Sequence, residues 1–279
     1  MELSEIYYTN KTQVSFEIFP PKDGDISELF DELRILKKYN PALVSLTYGA
    51  DGGTRDFSFD ILRMILDLEM TPMPHFTCIC STKELIEHYI VQIENMGIEN
   101  ILALRGDKNA DEEFCSPDFR YANELVEYIR EKTTLSIGVA GYPEGHPETE
   151  SLDEDIDYLK RKIDAGASAI FTKMFFDNDK FYKYTDLVRE AGIDVPIIPG
   201  IMPVRSLEQV QQMIGATNVG LPSDLRDKLE EFPEDASKIG VEFAIGQCQN
   251  RIDNKVCGLH FFTLNKSDMV SDILDNIEI

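Results

Sequence analysis

Glu17 stands inside an apolar segment, VSFEIFP, between Phe16 and Ile18. A carboxylate taken out of water there needs a partner or a task, since leaving it unpaired is costly. Other polar residues recur at or just after apolar runs. Thr47 and Tyr48 follow LVSL, His75 stands in PHFTCIC, and Arg105, Gly106 and Asp107 follow ILAL. Tyr142, Glu144 and His146 follow IGVAG, Lys173 interrupts AIFTKMFF, and Asn265 and Lys266 follow HFFTL. Singly, each has an ordinary reading. His75 suits a hydrogen-bonded core histidine, Arg105 and Asp107 a strand-end ion pair, and YPEGHP a turn. Lys160, Arg161 and Lys162 would usually be a solvated helix face, but in so acidic a chain they suit an anion such as a pyrophosphate. The histidines, His75, His88, His146 and His260, lack paired metal-ligand spacing, and there is no Walker loop or GxSxG elbow. Together the residues describe a site for an anionic organic ligand beside one semi-buried carboxylic acid.

These residues need a scaffold that brings strand ends together. Short apolar runs cover 13–20, 43–50, 74–80, 100–106, 135–142, 168–176, 195–202 and 258–265. Amphipathic stretches follow them at 26–39, 57–68, 82–96, 120–132, 153–165, 180–191, 206–216 and 267–277. Leu29, Leu33 and Leu36 repeat at helical spacing; Thr82 suits an N-cap, and Gly97 a left-handed residue past a helix end. Such alternation implies a parallel sheet, and eight units imply a closed (β/α)8 TIM barrel with its chemistry at the C-terminal strand ends. Before the last strand, SDLRDKLEEF and ASKIGVEFAIGQCQNRI read as an inserted helical pair. A doubly wound open sheet is the alternative, but two prolines rather than a glycine-rich turn follow the first strand. No linker divides the chain, so residues 1–279 are expected to form one catalytic barrel.

The chain carries 51 acidic and 27 basic residues, a net charge of -24. That balance argues against nucleic acid and anionic membrane as partners. The N-terminus is polar, and no apolar stretch approaches the ~20 residues of a membrane span, so a cytoplasmic location is expected. The five cysteines, Cys78, Cys80, Cys115, Cys248 and Cys257, form no CxxC pair and read as reduced, mostly buried thiols.

SFEIFPPK, VSLTYGADG, PHFTCI, ILALRGD, YPEGHPE, LKRKIDAGA, FFD, IIPGIMPV and HFFTLN closely resemble the methylenetetrahydrofolate reductase family, in order and over nearly the whole chain. The resemblance implies an FAD-containing (β/α)8 barrel of the short, bacterial type. It would reduce methylenetetrahydrofolate to methyltetrahydrofolate with NADH or NADPH, feed methionine synthesis, and form a homo-oligomer. On this resemblance Glu17 matches the catalytic acid, and Asp107 the aspartate between flavin and folate. Thr47 matches a nicotinamide contact. Tyr48, Ala50, His75, Arg105, Gly106, Ala122, Tyr142, His146, Asp155, Arg161 and Lys162 match FAD contacts, and Gln209 a folate contact. The pattern is broken at three positions: Lys173 replaces a pterin-contacting glutamine, Lys266 an arginine, and Tyr158 a flavin-contacting asparagine.

The implied chemistry is ping-pong hydride transfer through one flavin face. Opening the folate ring leaves a nitrogen that needs a proton, so Glu17 is expected to have a raised pKa among its apolar neighbours. Asp107 would lie near flavin and pterin, and His75, Arg161 and Lys162 would offset the pyrophosphate. Lys173 is expected to take over the glutamine's contact with the pterin. Three other readings stay open: a Schiff-base aldolase using Lys173, a flavin-free folate reductase of the same fold, and a non-catalytic barrel.

Overall fold

Strands form where aromatic and β-branched residues run together, and several helices start at a hydroxyl that caps them. The computed structural model describes residues 2–9, 11–47, 55–106, 118–215 and 217–279, with the side chains of 55–58 left aside. The strands are β1 (Gln13–Ile18), β2 (Leu43–Leu46), β3 (Pro72–Thr77), β4 (Asn100–Leu104), β5 (Ser136–Gly141), β6 (Ala169–Met174), β7 (Ile197–Ile201) and β8 (Gly258–Phe262). Each pairs in parallel with the next, and β8 pairs with β1, closing the barrel. The expected (β/α)8 TIM barrel is therefore present.

The helices in chain order are α1 (Leu3–Tyr7), α2 (Ser27–Leu36), α3 (Arg55–Asp67), α4 (Lys83–Asn95), α5 (Ala122–Lys132) and α6 (Leu152–Asp164). They continue with α7 (Asn178–Glu190), α8 (Leu207–Ile214), α9 (Ser223–Glu231), α10 (Ala236–Asp253) and α11 (Asp268–Leu274). Thr82 Oγ1 accepts from Leu85 N at the start of α4, and Gly97 takes φ 75° past its end. Ser151 and Ser206 cap α6 and α8 in the same way.

Helices α9 and α10 are the inserted pair. Leu225, Leu229 and Ala236 pack with Met174, Met202, Val204 and Phe262, on the flank of β6 to β8. Fully buried Arg251 locks α10 to α7: its guanidinium lies 4.1 Å from the Phe181 ring and 4.2 Å from that of Tyr182, and donates to Asn178 Oδ1. Burial lowers its pKa to about 10. Short α1, where the sequence reads only as polar, closes the N-terminal end of the barrel. Leu3, Ile6 and Tyr7 are buried against Met73, Leu102, Phe171 and Ile198. One expectation about cysteine is corrected. Cys78, Cys248 and Cys257 are free thiols, but Cys80 is disulfide-bonded.

Candidate active site

Inside the barrel, Glu17 Oε2 lies 3.6 Å from His75 Nε2 and 3.7 Å from His260 Nε2. All three side chains are buried, and they arrive from β1, β3 and β8. Each histidine is held by a buried serine: Ser45 Oγ is 2.7 Å from His75 Nε2, and Ser15 Oγ is 2.8 Å from His260 Nδ1. Strand alternation makes this possible, because Ser15 and Glu17 are two apart and so share a face. In the ladders Ser15 stands opposite His260, and Glu17 opposite Ser45.

The electrostatics correct the expectation for Glu17. Burial raises its pKa, but the hydrogen-bonding influence of His260 and the charges of His75, His260 and Lys173 outweigh it, so the carboxyl is held below its usual value. Burial also drives His75 down to about 4, against the pull of Glu17. His75 is therefore neutral near pH 7. His75 also does not offset a pyrophosphate by charge: it is uncharged and joined to Glu17 and Ser45.

Lys173 is exposed on β6, where the ladder to β7 is irregular between Phe171 and Met174. Gly200 N donates to Thr172 Oγ1 at that point. Thr47 binds the end of β2 to β1, its N and Oγ1 both donating to Ile18 O. Asn265 clamps β8 to the chain leaving β1: its Oδ1 accepts from Phe19 N, and its Nδ2 donates to Phe19 O, each at 2.8 Å. Tyr48, Ala50 and Asp107 lie outside the described residues.

A second group gathers at the ends of β4 and β5 and on α6. Arg105 forms a two-pronged pair with Glu148, at 2.5 and 3.1 Å. Glu148 N donates to His146 Nδ1, and the His146 ring meets Tyr142 edge-on at 4.8 Å. Lys162 Nζ is 6.0 Å from the Tyr142 ring centre and donates to Ala140 O. Burial lowers Lys162 to about 8 and raises Asp155 to about 6; each charge moderates the other's shift. Arg161 stacks on the Tyr158 ring at 5.0 Å, and Tyr158 donates to Glu154. Ala122 opens α5 directly after its N-cap Tyr121, and Gly106 takes φ 87° after β4. The run at 160–162 is thus split, with Lys160 on surface Asp164, Arg161 on an aromatic face and Lys162 inside.

Gln209 and Lys266 line one small cavity with Arg205, Phe262 and Met269. Gln209 Oε1 accepts from Arg205 N, and Lys266 is engaged by Glu28 and Glu32 of α2.

The second group fits a dinucleotide. Among the described residues Arg161 has no ion pair, and Lys162 carries an amine into the site. Tyr121 and Tyr158 expose 47% and 41% of their surface as flat faces for rings. Among the described residues no cluster of His, Cys, Asp and Glu could hold a metal, and no helix is long and apolar enough to cross a membrane.

Sequence reasoning missed His260, Ser15 and Ser45. Their signal is present: hydroxyls and an imidazole at inward positions of strands that are otherwise apolar.

Several known proteins are similar to this chain. The 5,10-methylenetetrahydrofolate reductase of Escherichia coli is 37% identical over 92% of this chain and 87% of its own length. The methylenetetrahydrofolate reductase (NADH) 1 of Arabidopsis thaliana is 35% identical over 99% of this chain. The chain spans about half the length of the plant and fission-yeast relatives it matches. A solved structure from Clostridium thermocellum, described as binding two copies of 5-methyl-5,6,7,8-tetrahydrofolic acid, shares the fold at 12% identity, with a TM-score of 0.66 over 98% of this chain and 97% of its own. The family model for methylenetetrahydrofolate reductase matches residues 2–278, and the chain belongs to that family.

Proposed function

We propose that this chain reduces 5,10-methylenetetrahydrofolate to 5-methyltetrahydrofolate, with FAD as the carrier and NADH or NADPH as the reductant, in a ping-pong cycle. The observation that carries the reading is Glu17, buried between two serine-held histidines in a chain of this family. FAD, when bound, would supply the hydride-transfer chemistry between nicotinamide and folate. Arg161 and Lys162 would hold its pyrophosphate, with Tyr142, His146 and Gly106 along its length. The names of the plant relatives favour NADH.

Glu17 supplies the proton that the departing folate nitrogen needs when the five-membered ring opens. Its pKa is set low by His260, His75 and Lys173, so the acid must be charged with a proton as the folate arrives. Folate that engages Lys173 withdraws one of the groups holding Glu17 ionised and shields the carboxyl from water, and both effects raise its pKa. Lys173 thus couples substrate binding to acid strength, a role that a neutral glutamine cannot fill. Gln209 and Lys266, on one cavity, would meet the remainder of the folate.

The test is anaerobic. Purified protein, or protein reconstituted with FAD, should show the visible absorption of oxidised flavin, lose it on addition of NADH or NADPH, and regain it on addition of methylenetetrahydrofolate. A preparation that takes up no flavin, yet reduces the folate with NADH, would show direct hydride transfer instead.

A further inference from the structure

We propose that Glu144 is a positioning residue for the flavin: its buried carboxylate clamps the turn that carries Tyr142 and His146 onto α7 and onto the segment that joins α8 to α9. The consequence for the flavin rests on the FAD reading above, but the clamp itself does not.

Glu144 is the charged residue of the YPEGHP turn to which the resemblance assigns no role. A glutamate in a polar turn ordinarily reaches water, yet this side chain is only 4% exposed. Its Oε2 takes two donors from outside the turn. Lys180 Nζ, in the first turn of α7, pairs with it, and Gly220 N donates to it at 3.1 Å. Its Oε1 is buried as well and has no hydrogen-bond partner. Exposed ion pairs contribute little to a structure. A buried carboxylate is different: stripped of its cation it is left uncompensated, which is strongly unfavourable. The turn is therefore tied to the position of Lys180 and Gly220.

The surrounding contacts make the tie stiff. Gly145 N donates to Tyr142 O at 2.9 Å, and Gly145 takes φ 79°, a conformation that favours glycine. Asn218 Nδ2 donates to Gly145 O at 3.4 Å, so the same segment holds the turn by its backbone too. That segment is fastened to the end of α8: Thr217 N and Oγ1 both donate to Ile214 O, and Val219 N donates to Thr217 Oγ1. Glycine at 220 leaves the ion pair room, since a Cβ there would stand 3.3 Å from Lys180 Nζ and 3.6 Å from Glu144 Oε2. Glu144 lies between Tyr142 and His146 in the chain, and their rings meet edge-on at 4.8 Å. Fixing its carboxylate fixes the backbone from which both rings project. Groups that hold a ligand keep their geometry only when residues around them are locked in turn.

In the experiment FAD is titrated into the full-length protein, and its dissociation constant is read from the change in flavin fluorescence. Lys180 is half-exposed, so Lys180→Met removes the cation without opening the core. It should weaken FAD binding by roughly tenfold, as the loss of an outer residue that orients ligand groups commonly does. Glu144→Gln keeps an oxygen for Gly220 N but loses the charge, and should weaken binding to a similar degree. The double variant should bind no worse than the weaker single one, because both changes break the same contact. A pair that served stability alone would lower the melting temperature and leave FAD affinity unchanged; that result overturns the proposal, and so do effects that multiply in the double variant. A wild type that takes up no flavin would contradict the FAD reading, and the clamp is then judged in nitrogen-15-labelled protein. The amide signals of Gly145 and Gly220 should both move in Lys180→Met, and a Gly145 signal that stays still overturns the clamp.

Discussion

Glu17 and His75 are buried side by side, and each is shifted toward a different charge state. The carboxyl is held ionised, while the imidazole is held neutral with its pKa near 4. The second shift has a consequence for stability. A histidine unfolds to a pKa of about 6.5. Its depressed native value contributes stability that is full above that pH and is lost as pH falls toward 4, where the unfolded chain takes up a proton that the native site refuses. The loss is about 3 kcal/mol over that window. Denaturant titrations at several pH values should show a steeper acid slope for wild type than for His75→Gln, and equal slopes would contradict the assignment. Lys173 is expected to act on Glu17 from the other side. Lys173→Gln should keep fold and flavin while raising the apparent pKa of the folate half-reaction, and Lys173→Met should raise the folate KM with little change in flavin reduction. Borohydride trapping of a carbonyl substrate on Lys173 would instead favour an aldolase. Glu17 was legible from sequence because a carboxylate among Phe16 and Ile18 is conspicuous. His260 was not, since a lone histidine in HFF reads as core, and only its contact with Ser15 gives it a direction.

The elements were more legible than their ends. Hydrophobic period placed each strand, yet LVSLTYGA, read as 43–50, has its strand at Leu43–Leu46, with Thr47 still bonded to Ile18 through its amide and hydroxyl. The polar strand ends that mark the site belong to loops, where apolar period carries no information. Helix α1 escaped because five residues are too few to show a period, and only its burial against Phe171 and Met73 reveals its task. The inserted pair was legible as helix but not as support for the site. Gly240 of α10 lies so close to the β7–α8 connection that a Cβ would strike the Val204 carbonyl. Gly240→Ala must therefore push α10 away from the segment that leads into capped α8 and Gln209. Overpacking of this kind costs about 1–3 kcal/mol or more. The expected result is a lower melting temperature with the folate KM raised more than the NADH KM. Equal effects on both would mean that α10 does not position Gln209.

At the level of the whole molecule, a net charge of -24 means that the surface repels itself. Added salt screens that repulsion, with a Debye length of about 10 Å at 0.1 M. Melting temperature should therefore rise by a few degrees, roughly, between low and moderate sodium chloride; a fall would show that attractive pairs such as Arg105–Glu148 dominate. The barrel gathers one acid with its histidines from β1, β3 and β8, and a basic and aromatic group from β4, β5 and α6. The central claim is that the first group serves only the folate. It is tested most directly by single-turnover kinetics of Glu17→Gln, with the two half-reactions followed separately by flavin absorbance. Reduction by NADH should change little, while reoxidation by methylenetetrahydrofolate should slow by roughly 10²- to 10⁴-fold. Equal slowing of both halves would contradict the account, and would make Glu17 a structural or binding residue rather than the acid.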